Sequence, residues 1–377
     1  MPVLDAVAAL ERLCQSGVIA EADAMAHGLD DVLGEVMRRA STLADRLGTR
    51  AAGVDAETVE GLDDALVADR LARWAEAVAL GRPAAFTRRL AWLGLDAARA
   101  RQIVGTAQAP AVPPPWTITL RHLLAASQHP LSALARPADR ARVLGRGSDY
   151  AVPVDPTAPL PFEDVWRPVA FAARRLLIAR FDGKPAALSW LSESAAAALE
   201  RALLVRLAHL GAPALFEEFE AHRPAGPVLL ARLIGDRPEG APDAHYRPFV
   251  ARLGREGLGA LACRWPALAR LASIAVGDWV DLSAELLERY ADDRPALAPL
   301  VTNGDEAPGV IVGIAPDLSD PHRGGRTVAI LEFESGGRIV YKPRPLAMES
   351  AWEQFVEWFD LSGELPCNIR AAPAFDR

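Results

Sequence analysis

Along most of this chain, apolar residues recur at three- and four-residue steps, the spacing that lines one face of a helix. Over 192–221, Leu199, Leu203, Leu207 and Leu210 form such a stripe, and Ser192 stands where an N-cap is needed. Trp279, Leu282, Leu286 and Tyr290 form a second stripe over 276–291, with acidic residues and Arg289 around it. Over 164–181, Val165, Phe171 and Leu176 make the apolar side, and Arg174, Arg175 and Arg180 read as a basic face. Residues 1–106 read as several shorter amphipathic helices. Stretches dense in Pro, Gly and Asp break the pattern at 107–116, 145–161, 235–248 and 291–309.

The period changes after Gly309. "VIVGI" (310–314) is a short β-branched run, "TVAILEF" (327–333) a second strand, "ESGG" (334–337) a turn and "RIVYK" (338–342) a third strand. Pro343 cannot donate to a ladder and ends that strand. Arg338, Val340 and Lys342 then share one face of it, while Ile339 and Tyr341 take the other. Beyond Pro343 helical spacing returns, with Trp352, Phe355 and Phe359 in line and Gly363 as the C-cap. The expected fold is mainly α with a small C-terminal antiparallel β-sheet. It divides into a helical region over 1–308 and three strands with a helix over 309–377. So small a sheet is expected to leave apolar surface exposed over 310–360.

Composition narrows the function classes. The chain has 377 residues, with 49 acidic against 41 basic side chains and a formal charge of −8, so nothing draws it generally to nucleic acid or anionic lipid. Cys14, Cys263 and Cys367 are too dispersed for a metal pair or a disulfide framework, which fits free thiols in a reducing compartment. The N-terminus does not read as a signal peptide. The most apolar stretch, 258–276, is interrupted by Arg264, Pro266 and Arg270 and does not read as a membrane span. A cytoplasmic protein is the expectation.

One segment carries chemistry. From 310 onward the order is strand, glycine-bearing loop, strand, turn, strand ending in lysine, then helix. That is the order of the small lobe of a kinase-type nucleotide site, where a loop covers the ATP phosphates and a lysine on the third strand holds them. Glycine lets backbone N–H groups approach a phosphate, and a cation on a stiff element loses little side-chain entropy on binding. The residues alone leave other readings open. Lys342 could be an exposed edge residue, Gly324–Gly325 a plain turn, Asp320 and His322 a local turn or half a metal site. Glu349, Glu353 and Glu357 could be a solvated helix face.

"SDPHRGGRTVAILEFESGGRIVYKPRPL" (319–346) closely resembles the D-x-H-x-x-G-R … YKPR signature of class II lanthipeptide synthetases, enzymes of lantibiotic biosynthesis. The stretches 160–177, 199–224 and 246–297 resemble the same family's dehydratase domain, so the likeness runs over roughly residues 70–377. The resemblance implies a lipid-kinase-like dehydratase domain that uses ATP and Mg²⁺ to phosphorylate Ser and Thr of a ribosomal precursor peptide bearing a leader. Elimination of phosphate then leaves a dehydro residue, and a separate zinc cyclase domain forms thioether rings.

Carried over onto this chain, the resemblance makes Lys342 the ATP-phosphate lysine. Asp320, His322 and Arg326 line the loop over the phosphates, and Gly324 and Gly325 let its backbone approach. Asp320 and His322 are then candidates for handling the substrate hydroxyl or phosphate. The family's catalytic-loop and Mg²⁺-binding aspartates, the Thr/Arg pair of elimination and the cyclase have no counterpart in these 377 residues. The chain is therefore expected to be an incomplete dehydratase domain, a truncated N-terminal part that turns nothing over alone. The alternative is a non-catalytic helical module that binds a leader peptide or a partner protein.

Overall fold

The computed structural model describes residues 26–40, 42, 64–105, 113–128, 159–181, 185–222, 245–301 and 308–360. Their helices are α1 (Ala26–Ala40), α2 (Asp64–Ala79), α3 (Pro83–Trp92), α4 (Ala97–Gly105), α5 (Pro115–Gln128), α6 (Glu163–Arg180), α7 (Glu193–His222), α8 (Tyr246–Arg264), α9 (Pro266–Val301) and α10 (Ala347–Asp360). Three strands, β1 (Ile311–Ala315), β2 (Ala329–Phe333) and β3 (Arg338–Tyr341), form one antiparallel sheet in chain order. The fold is mainly α with a small C-terminal sheet, as the periodicity predicts. Cys14, Cys367 and Gly363 lie outside the described residues.

The helices start where local chemistry permits. Ser192 accepts the N–H of Ala195 on its hydroxyl (3.2 Å), capping α7 as expected. Pro83 and Pro266 open α3 and α9, where the missing N–H costs no helical bond. One expectation fails: α9 does not stop near 291 but continues to Val301 through Pro295 and Pro299. Each proline removes a helical hydrogen bond. Burial of Leu297 and Val301 against the sheet outweighs that loss.

Helix α9 runs through the molecule and packs on α1, α5, α6 and α7. The largest core lies among α6, α7, α8 and α9, around Trp166, Leu204, Leu207, Phe249 and Val276. Arg174 is not on a basic face: it is buried in this core and forms a two-pronged ion pair with buried Glu200 of α7. A second, partly buried pair, Arg201–Glu163 at 2.8 Å, joins the same two helices. Helices α2, α3 and α4 have a small core of their own around Leu90, Leu95, Ala100 and Ile103. Among the described residues, no helix is long and apolar enough to cross a membrane.

Close approach decides one glycine. A Cβ on Gly211 of α7 would overlap the indole ring of buried Trp166. Alanine would gain about 1 kcal/mol of helix propensity, but overpacking a fixed ring costs more, about 1–3 kcal/mol. Gly211→Ala is expected to lower the thermal midpoint by several degrees.

Helix α5 carries a second liability. His122 is held down to about 4, first by burial and then by neighbouring Arg121, and its Nε2 is buried without a hydrogen-bond partner among the described residues. Above pH 6.5 the ring is neutral in both folded and unfolded chains. As pH falls from 6.5 toward 4, only the unfolded chain gains the proton, so stability drops by about 2 kcal/mol. Denaturant melts at pH 7 and pH 4.5 should differ by that amount, and His122→Asn should flatten the difference.

The sheet sits on α7 and α9. Ile314, Leu331 and Ile339 align across the three strands and face the helices, with Ile311 and Phe333 buried beside them. Tyr290 of α9 stacks on Phe333 and donates its hydroxyl to the Gly309 carbonyl. The edge of β1 is covered by the start of α7, where Ser192 N–H meets the Ile311 carbonyl (3.0 Å) and the Ser194 hydroxyl meets that of Val312 (2.6 Å). Helical residues and strands thus share one core across the change of structure between Val301 and Ile311.

Candidate functional site

The two faces of the sheet are chemically different. Antiparallel partners Ala315, Ile330 and Val340 align on the face turned away from the helices, and Val340 is 57% exposed. Gly313, Glu332 and Arg338 form the next row on that face, with Arg338 and Glu332 paired at 2.9 Å. Strand alternation continues this face to Lys342. An apolar strip therefore runs up to a single ammonium group.

Lys342 ends β3 at a stiff corner. Pro343 is buried, and the Arg344 N–H returns to the Lys342 carbonyl (2.8 Å), closing a tight turn around the proline. The Lys342 ammonium lies 3.5 Å from Glu349 Oε1, in the first turn of α10. Arg344 grips both oxygens of the same carboxylate. Partial desolvation works against the charged form of Glu349. Its own backbone N–H and the Arg344 guanidinium, with Lys342 behind them, still hold the carboxyl below the usual range. Glu349 is thus no idle member of a solvated face. The sequence signal for it was available: an acid seven residues after the lysine, at the start of the following helix.

The connector between β1 and β2 is an extended hairpin tip. Leu318 N–H bonds the Val328 carbonyl, and His322 N–H bonds that of Arg326. Thr327 donates to Asp317 (3.0 Å), and the Val328 N–H to the Ser319 hydroxyl (3.0 Å). Gly324 and Gly325 close the tip with φ of 68° and 76°, a region open to glycine at no steric cost. A Cβ on Gly325 would fall 2.5 Å from Arg206 Nη1, so the approach this glycine permits is that of a guanidinium from α7. Arg206 in turn pairs with Asp278 of α9 at 3.3 Å.

Of the six sequence-predicted residues, the tip brings five together: Asp320, His322, Gly324, Gly325 and Arg326. Asp320 and His322 are exposed, and among the described residues neither has a side-chain hydrogen bond or ion pair. Arg326 points back to the body, 2.7 Å from Glu285 of α9 and 3.4 Å from the Pro343 carbonyl. Through that carbonyl the tip touches the Lys342 corner, but no direct bond joins Lys342 to Asp320 or His322 among the described residues. Beside that shared core, an open cleft is lined by Arg206 of α7, Ser283 and Leu286 of α9, and Ile314, Thr327 and Pro343. Tyr341 lines it, its hydroxyl pushed up to about 12 by burial and then by the Glu285 carboxylate.

Helix α10 carries an exposed aromatic face of its own. Met348, Trp352, Phe355 and Trp358 all stand open to solvent, and the rings of Trp352, Phe355, Trp358 and Phe359 neighbour one another in tilted pairs along it. With Val312, Leu318 and Val340 they realise the apolar exposure expected over 310–360.

The profile of a domain of unknown function (DUF4135) matches residues 265–377, a domain found in lanthionine synthetase-like proteins. The match spans α9, the sheet and α10, the elements that build this site. No curated protein matches this chain.

Proposed function

We propose that residues 309–360 are the phosphate-holding part of a kinase-type dehydratase acting on Ser and Thr of a ribosomal precursor peptide. The observation that carries this reading is the ion pair between Lys342, at the end of the third strand, and Glu349, on the helix that follows. Kinase-type sites use that pairing to aim a lysine at nucleotide phosphates. The apolar strip of Ala315, Ile330 and Val340 beside it offers a flat floor for a purine ring. The DUF4135 match and its occurrence in lanthionine synthetase-like proteins support the same reading.

Chemically, hydroxide is a poor leaving group from a Ser or Thr side chain. Attack of the hydroxyl oxygen on the terminal phosphoryl of ATP releases ADP and leaves a phosphate ester. Loss of the α-proton, with cleavage of the Cβ–O bond, then expels phosphate and forms the dehydro residue. In this scheme Lys342 neutralises the phosphates, and Glu349 and Arg344 keep its stem from wandering. Asp320 and His322, exposed at the tip, take up the proton or contact the phosphate. Among the described residues no group of three His, Cys, Asp or Glu side chains could hold a metal ion. The described residues supply no Mg²⁺ cage of their own.

The reading is tested by incubating a leader-bearing Ser/Thr peptide and MgATP with a chain that joins this segment to a catalytic lobe. Mass spectra should show a phosphorylated species and then loss of water at the same residue. Dehydration without ATP, or phosphorylation of free lipid or sugar in preference to peptide, would contradict it. The exposed aromatic face of α10 favours a second reading, a non-catalytic module that binds a leader peptide or partner protein. That module would bind the peptide equally with and without nucleotide.

A further inference from the structure

Arg326 stands in the connector that the signature places over the phosphates, yet its guanidinium is directed elsewhere. Nη1 lies 2.7 Å from Glu285 Oε2 of α9 and 3.4 Å from the Pro343 carbonyl oxygen. Glu285 is only 22% exposed in its side chain and also holds Arg289, one turn on, at 2.7 Å. A guanidinium that served phosphate would present its fork to the open face. This one is committed to a carboxylate of the helical body and to the residue next to Lys342.

Resting on the function proposed above, we infer that Arg326 and Glu285 are a positioning pair. They fix the distance between the tip bearing Asp320 and His322 and the corner bearing Lys342, and neither touches the nucleotide. Three elements meet at one side chain: the connector, α9 and the end of β3. Arg206, paired with Asp278, lies against Gly325 of the tip at a distance that a Cβ there would close. Lys342 and the tip lie on separate strands with no direct bond between them among the described residues, so their spacing has to be set from outside. A hairpin tip free to swing would spread its side chains over many positions, and the entropy of ordering them would then be paid at each binding event. Helix α9 supplies the fixed point, which gives the helical body a role in the geometry of the site.

The test uses a fluorescent ATP analogue titrated into the 377-residue chain with Mg²⁺ present. Glu285→Gln, nearly isosteric, and Arg326→Gln should each weaken binding by about 10-fold, and the double variant no further, because both remove one link. Arg326→Lys, which keeps the charge opposite Glu285, should recover part of the loss. Thermal midpoints of all four variants should stay within a few degrees of wild type, separating this effect from unfolding.

If Arg326 touched phosphate itself, Glu285→Gln would free its guanidinium and leave binding unchanged or tighter. Either result overturns the positioning role while the nucleotide reading stands. Wild-type protein that binds no analogue, or Lys342→Ala that binds it like wild type, overturns the nucleotide reading and this inference with it.

Discussion

Lys342→Ala is expected to lower productive use of MgATP by on the order of 100-fold or more, the scale seen when one charge-stabilising donor is removed from a preorganised site. The effect is large because Lys342 has no substitute in place. Arg344, two residues on, has its guanidinium folded onto both oxygens of Glu349. Arg326 is committed to Glu285. Lys342 spends one donor on Glu349 at 3.5 Å and keeps the others. The chain has only two lysines, Lys184 and Lys342, among its 41 Lys and Arg residues. A compact ammonium at 342 therefore contrasts with the arginine used almost everywhere else. Lys342→Arg should restore little, since a planar fork would compete with Arg344 for the same carboxylate. Steady-state rates of peptide phosphorylation, measured with each variant joined to a catalytic lobe, check both statements.

Glu200→Ala should be the most damaging single change to the fold, lowering unfolding free energy by about 3–5 kcal/mol. Arg174 and Glu200 are both buried where α6 meets α7, with side chains 8% and 3% exposed. Burial raises the Glu200 carboxyl, and the Arg174 guanidinium opposes that shift. Removing the acid strips the buried Arg174 guanidinium of the carboxylate that grips it at both prongs. Replacing both, Arg174→Met with Glu200→Leu, should be nearly neutral, because two desolvation penalties vanish together. Urea denaturation of the single and double variants gives the comparison.

Much of this architecture is legible in the sequence, and the misses share a cause. Leu203 and Leu207 repeat at helical spacing and are buried, and Ile339 and Tyr341 alternate with Arg338 and Val340 as a strand demands. Local pattern decides those positions. Arg174 reads as a surface charge because its partner lies 26 residues away on another helix. Helix α9 passes through Pro295 and Pro299 because a sheet formed later in the chain buries its last turns. Glu285, the anchor of Arg326, is invisible from the connector's own sequence for the same reason: 41 positions separate partners that only the fold brings together. Glu349 was within reach, being seven residues from Lys342 and at a helix start.

The central claim is that the ammonium of Lys342 receives nucleotide phosphates, and the scarcity of lysine makes it directly measurable. An ATP acyl phosphate delivers its acyl group to an amine held beside the bound phosphates, and peptide mass spectrometry then reports Lys184 and Lys342 separately. Acylation should concentrate on Lys342, suppressed by excess MgATP and unaffected by excess AMP, with Lys184 labelled slowly and regardless of competitor. Equal labelling of the two lysines, with no response to MgATP, would contradict it.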